Sequence, residues 1–143
     1  MPTTYSVYLN FPGTSEEAFN FYKSIFGGEF DGVNRYREMP NNEKIPEDVL
    51  DKIMHISLPI SKGFTLMATD ALETFGQKLK TGNNSYIMLN VDSKEEADRL
   101  FNGLSDGGNV EMEMQDSFWG SYFGAFSDKY DVQWMINYEY PQK

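Results

Sequence analysis

The chain has 143 residues, no cysteine, one histidine, and two Trp, nine Tyr and eleven Phe, which is enough length and apolar mass for an ordinary core. Without cysteine there are no disulfides, thiolate nucleophiles or Cys-type zinc sites, and a lone His55 excludes paired-histidine metal motifs. A net charge of −10 argues against a nucleic-acid surface and suits attraction of cationic small molecules.

The start, Met1-Pro2-Thr3-Thr4-Tyr5, has neither the basic residues nor the apolar stretch of an export signal. No apolar run reaches the roughly 20 residues that span a bilayer. A soluble cytoplasmic protein without membrane contact is therefore expected, and the Asn83-Asn84-Ser85 sequon carries little meaning.

Val7, Leu9 and Phe11 alternate with Ser6, Tyr8 and Asn10, which predicts a strand with one apolar face. Thr14-Ser15-Glu16-Glu17-Ala18 fits a capping box, with Thr14 as cap and Glu17 reaching back. Ala18, Phe21, Tyr22 and Ile25 then form a helix face that ends at Gly27-Gly28. Strands are predicted over Glu29–Arg37, Ile53–Ile60 and Phe64–Thr69, with irregular stretches at 38–52 and 70–84. Glu43, Glu47, Asp48 and Asp51 make the first of these a solvated acidic loop.

The pattern then recurs. Ile87, Leu89 and Val91 alternate with Tyr86, Met88 and Asn90. Ser93-Lys94-Glu95-Glu96-Ala97 is a second capping box, followed by Ala97, Leu100, Phe101 and Leu104 and then Gly107-Gly108. Strands follow over Val110–Gln115, Ser121–Ser127 and Val132–Tyr138. A single α+β domain results, built from two βαβββ repeats at about 1–80 and 81–143.

Several segments carry a family resemblance. They include Phe21-Tyr22-Lys23, Phe26-Gly27-Gly28, Glu38-Met39-Pro40, Lys52-Ile53-Met54-His55, Leu66-Met67 and Thr69-Asp70-Ala71. Further on come Leu89-Asn90-Val91-Asp92, Phe118-Trp119-Gly120, Phe123-Gly124 and Trp134-Met135-Ile136-Asn137. In this order they resemble the PhnB-like branch of the vicinal-oxygen-chelate superfamily, which contains glyoxalase I, extradiol dioxygenases and bleomycin-resistance proteins. The resemblance implies mixed, curved sheets forming a cavity, and pairing into a homodimer. It places the superfamily's metal ligands at or near Ser6, Met67, Tyr86 and Met135, residues that coordinate hard or borderline divalent metals poorly. No metal and no cofactor is therefore expected. PhnB-like sequences have been labelled methyltransferases, but no glycine-rich turn follows a strand here. Two departures from the family pattern stand out: Ser121 and Tyr122 replace charged residues, and Asp131 stands where glycine is usual.

His55 reads either as a base or ligand donor in the cavity or as a packed structural histidine. Trp119 reads as a wall over a planar or cationic ligand, or as a core or interface aromatic. Asp70 could hold a cationic ligand or cap its loop. Tyr8 and Met88 share the mixed strand faces with Ser6 and Tyr86, and would line either a pocket or a dimer interface. The expected function is binding of a small, cationic or planar molecule in an aromatic-lined cavity without the superfamily metal. The alternative is a metal-dependent or His55-based lyase, isomerase or dioxygenase.

Overall fold

The computed structural model describes residues 3–141. In chain order the elements are β1 (Tyr5–Phe11), α1 (Ser15–Phe26), β2 (Gly32–Arg35), β3 (Ile53–Ser61) and β4 (Phe64–Asp70), then β5 (Ile87–Val91), α2 (Lys94–Ser105), β6 (Asn109–Asp116), β7 (Ser121–Ser127) and β8 (Gln133–Glu139). The fold is α+β. The chain divides into two units, Met1–Lys80 and Thr81–Lys143, and each runs strand, helix, three strands.

The two sheets have the same topology. The first is ordered β1-β4-β3-β2 and the second β5-β8-β7-β6. Only β1 with β4 and β5 with β8 run parallel, since each crosses over from the start of its unit to the end. No helix among the described residues is long and apolar enough to cross a membrane.

Period two decides which face of each sheet is buried. In the first unit Ile56, Leu58, Leu66 and Ala68 point toward α1, whose Ala18, Phe19 and Tyr22 are fully buried. Phe19 meets Phe11 edge-on at 6.4 Å and Tyr22 at 5.6 Å. In the second, Phe126, Trp134 and Ile136 are buried together with Ala97, Leu100, Phe101 and Leu104 of α2. Each fully buried large side chain contributes about 1.5–3 kcal/mol, so these two seams dominate the stability of their units.

Helix starts differ from expectation at one end. Ser93 caps α2 as predicted, its Oγ accepting from the Glu96 amide at 3.1 Å, while the Glu96 carboxylate pairs with Arg99. Thr14, in contrast, makes no side-chain cap to α1. The buried carboxylate of Asp70 takes that role: its Oδ1 accepts from the Ser15 amide at 2.9 Å, a partner 55 residues away that no local box could reveal. The first predicted strand after α1 is also shorter, Gly32–Arg35. Beyond it the backbone turns because the Glu38 carboxylate accepts from the Arg35 amide at 2.7 Å and the Tyr36 hydroxyl is anchored to the Asp70 carbonyl at 2.8 Å. Within the irregular 38–52 stretch, Val49 and Leu50 are buried and pin it to the unit. Asp131 adopts a left-handed φ of 69°, as its replacement of glycine requires.

Candidate functional site

With one face of each sheet under its helix, the chemistry falls to the other face. In the first unit, registers pair Tyr8 with Met67 and Met67 with Ser57, and set His55 opposite Asn34. Tyr8, Met67, Ser57 and His55 therefore share the helix-free face. The Tyr8 hydroxyl lies 3.0 Å from His55 Nδ1, and their rings sit 5.7 Å apart. Burial, with a smaller contribution from Tyr36 nearby, raises the Tyr8 pKa and keeps the phenol protonated. Ser57 is buried, yet its hydroxyl has no hydrogen-bond partner. Ser57 was absent from the residues expected at the site, although its position two residues beyond His55 in a strand was a legible signal.

Three expected residues stand apart from this group. Ser6 is exposed and lies opposite Thr65 instead of Met67. Asp70 lies on the helix side, with Oδ1 on the Ser15 amide and Oδ2 on the Ile53 amide at 2.8 Å. Tyr86 precedes β5, and its hydroxyl donates to Glu111 Oε2 at 2.5 Å, which raises the pKa of the phenol.

The second unit offers a different surface. Met88 pairs with Met135 in the β5–β8 register, and Asn90 with Asn137, whose amide donates to the Asn90 side chain at 3.0 Å. Trp119 stands in the β6–β7 turn, 58% exposed, with its ring 5.9 Å from Phe123 and 5.0 Å from Phe118. Together with Met112, Gln115, Asp116 and Ser117, these three rings line a pocket of about 210 Å³. Phe123, Met112 and Asp116 were not among the expected site residues. Asp116 accepts a hydrogen bond from Tyr140, and that bond is the main cause of the raised Tyr140 pKa.

The positions implied for a divalent metal carry Ser6, Met67, Tyr86 and Met135. A hydroxyl, two thioethers and a phenol already bound to Glu111 do not fit such an ion. Among the described residues, no three His, Asp or Glu side chains gather as a metal would need.

Relatedness agrees with the topology. Residues 3–137 match the family described as 3-demethylubiquinone-9 3-methyltransferase. Protein YjdN of Escherichia coli (strain K12) is 31% identical over 144 residues, 92% of this chain and 92% of that protein. Protein PA1353 from Pseudomonas aeruginosa has a solved structure with a TM-score of 0.84 at 38% identity, covering 96% of this chain and 98% of that one. A Bacillus cereus structure, described as a putative 3-demethylubiquinone-9 3-methyltransferase, PhnB protein, gives a TM-score of 0.74 at 23% identity over 94% of this chain and 98% of its own. That likeness is one of fold, as are those to glyoxalase-related structures at 17% and 15% identity with TM-scores of 0.63. The chain belongs to the family described as 3-demethylubiquinone-9 3-methyltransferase, and it has the fold of the glyoxalase/bleomycin-resistance structures.

Proposed function

We propose that this chain binds a small planar cation in the Trp119 pocket, using side chains alone and not the superfamily's metal. One observation carries the reading: the rings of Phe118, Trp119 and Phe123 gather around one space. Aromatic faces attract a cation through their quadrupoles. The net charge of −10 favours encounter with the same ligands. At about 210 Å³ the pocket is smaller than sites for drug-sized molecules, so a single-ring ligand suits it best.

Methyl transfer, which the family description names, finds less support in these residues. A nucleotide-like methyl donor wants a glycine-rich turn leading from a parallel strand into a helix. Here Gly27 closes α1 instead, its amide bonded to the Lys23 carbonyl, and Gly107 follows α2. These residues do not fit that donor.

Calorimetric titration with phenyltrimethylammonium tests the proposal. The native chain is expected to bind one equivalent, and Trp119→Ala to weaken binding roughly tenfold, the scale of a partly desolvated cation–π contact. Equal binding by both proteins, or none by either, would overturn it.

A further inference from the structure

We propose that Tyr140 is a positioning residue for the Trp119 pocket: it ties both ends of the turn that carries Phe118 and Trp119 to the end of β8. This rests on the ligand-binding reading above and deepens it by assigning what holds the walls of that pocket in place.

Little burial fixes those walls. Phe118 is 97% exposed and Trp119 58%, so packing against the core contributes little to their placement. β6, which leads into the turn, is an edge strand bonded only to β7, and its register shifts between Val110 and Met112 and again between Met112 and Gln115. At the base of the turn the Ser117 amide donates to the Ser121 carbonyl at 2.7 Å, and the Ser121 amide donates to Ser117 Oγ at 3.0 Å. Neither bond reaches beyond β7.

Tyr140 supplies the longer reach. Its amide donates to the Gly120 carbonyl at 3.1 Å, and its hydroxyl donates to Asp116 Oδ1, across β7. One residue thereby grips both sides of the turn. Its ring is held in place as well. Tyr138 meets it edge-on at 5.4 Å, and the Lys94 ammonium at the start of α2 lies 5.7 Å from its centroid and 4.5 Å from that of Tyr122. The bond to Asp116 raises the Tyr140 pKa, so the phenol stays a donor.

The clamp and the pocket lie on opposite faces of the β6–β7 hairpin. Tyr122 stands opposite Asp116 in register and donates to Asp98 of α2 at 2.6 Å, which marks the helix side. Phe123, the next residue, points the other way and lines the pocket. Tyr140 therefore acts on a ligand through the turn, by keeping the rings preorganised, and not by touching it.

Tyr140→Phe keeps the ring and the amide and removes only the hydroxyl bond. Tyr122→Phe removes a comparable phenol–carboxylate bond on the same side, from a hydroxyl that does not touch the turn. Both variants and the native chain are labelled with 5-fluorotryptophan, which gives two ¹⁹F signals, Trp119 on the turn and Trp134 in the core. Without ligand, Tyr140→Phe should shift or broaden the Trp119 signal and leave Trp134 in place, while Tyr122→Phe should leave Trp119 unmoved. Phenyltrimethylammonium should bind Tyr140→Phe roughly fivefold more weakly than the native chain, as when the turn keeps its competent arrangement about a fifth of the time. Tyr122→Phe should bind it as the native chain does. An unmoved Trp119 signal in Tyr140→Phe, an equal shift in Tyr122→Phe, or native-strength binding by Tyr140→Phe overturns the assignment. If the native chain binds none of the cation, the ligand reading falls and the fluorine comparison alone decides the role of Tyr140.

Discussion

Asp70 is the residue on which most of the first unit's geometry converges. Its two oxygens hold the first amide of α1 and the first amide of β3, and its own carbonyl receives the Tyr36 hydroxyl. Replacing it with alanine strands two buried amides as well as removing a helix cap. Asp70→Ala should therefore lower stability by about 3–5 kcal/mol, read as a fall in the urea midpoint at unchanged slope. A loss below about 1 kcal/mol would show that the carboxylate is not the tether described. Single residues were the least legible level of the sequence. Tyr8 and His55 are 47 positions apart, and only the β1–β4–β3 pairing brings them together. Asp70 likewise holds amides 55 and 17 positions away.

At the level of elements, periodicity did most of the work. All eight strands and both helices lie where alternation or 3.6-residue spacing put them, because each must bury one face. The exceptions occur where tertiary contacts override local pattern, at the Thr14 cap and the shortened β2. Glycine positions show how closely helix and sheet approach. A Cβ on Gly124 would meet Met114 Sδ at 2.6 Å and Phe101 Cε2 at 2.9 Å, both movable side-chain atoms. On Gly108 it would meet the Ser127 carbonyl oxygen at 2.2 Å and Asp128 backbone at 2.9 Å, which cannot yield without shifting the chain. Gly124→Ala should cost about 1–3 kcal/mol and Gly108→Ala more, in paired thermal melts. The reverse order would contradict the packing.

The α1–β2 connection adds a pH-dependent contribution. Hydrogen bonds from Arg35 hold the Glu16 carboxyl below its usual value, and partial burial opposes this. A depressed folded value stabilises above the unfolded carboxylate range and is lost as pH falls through it. Glu16→Gln should therefore cost less than about 1 kcal/mol at neutral pH, since the pair is half exposed. That difference should shrink as the urea series is taken into acid; a gap that widens on acidification would refute the assignment.

For the molecule as a whole, two units of one topology carry different chemistry on equivalent faces. The first presents a tyrosine–histidine pair and an unpartnered serine, the second thioethers and a ring-lined pocket. The positions the resemblance implies for a metal carry Ser6, Met67, Tyr86 and Met135, and the β1–β4 register sets Ser6 opposite Thr65. What composition could not show was which aromatics leave the core: Trp134 is fully buried and bonded to Asp128, while Trp119 stands open. Calorimetric titration of phenyltrimethylammonium into untagged, chelator-treated protein tests this account most directly. It predicts one-to-one binding unchanged by chelation; binding that disappears on chelation and returns with a divalent metal would contradict it.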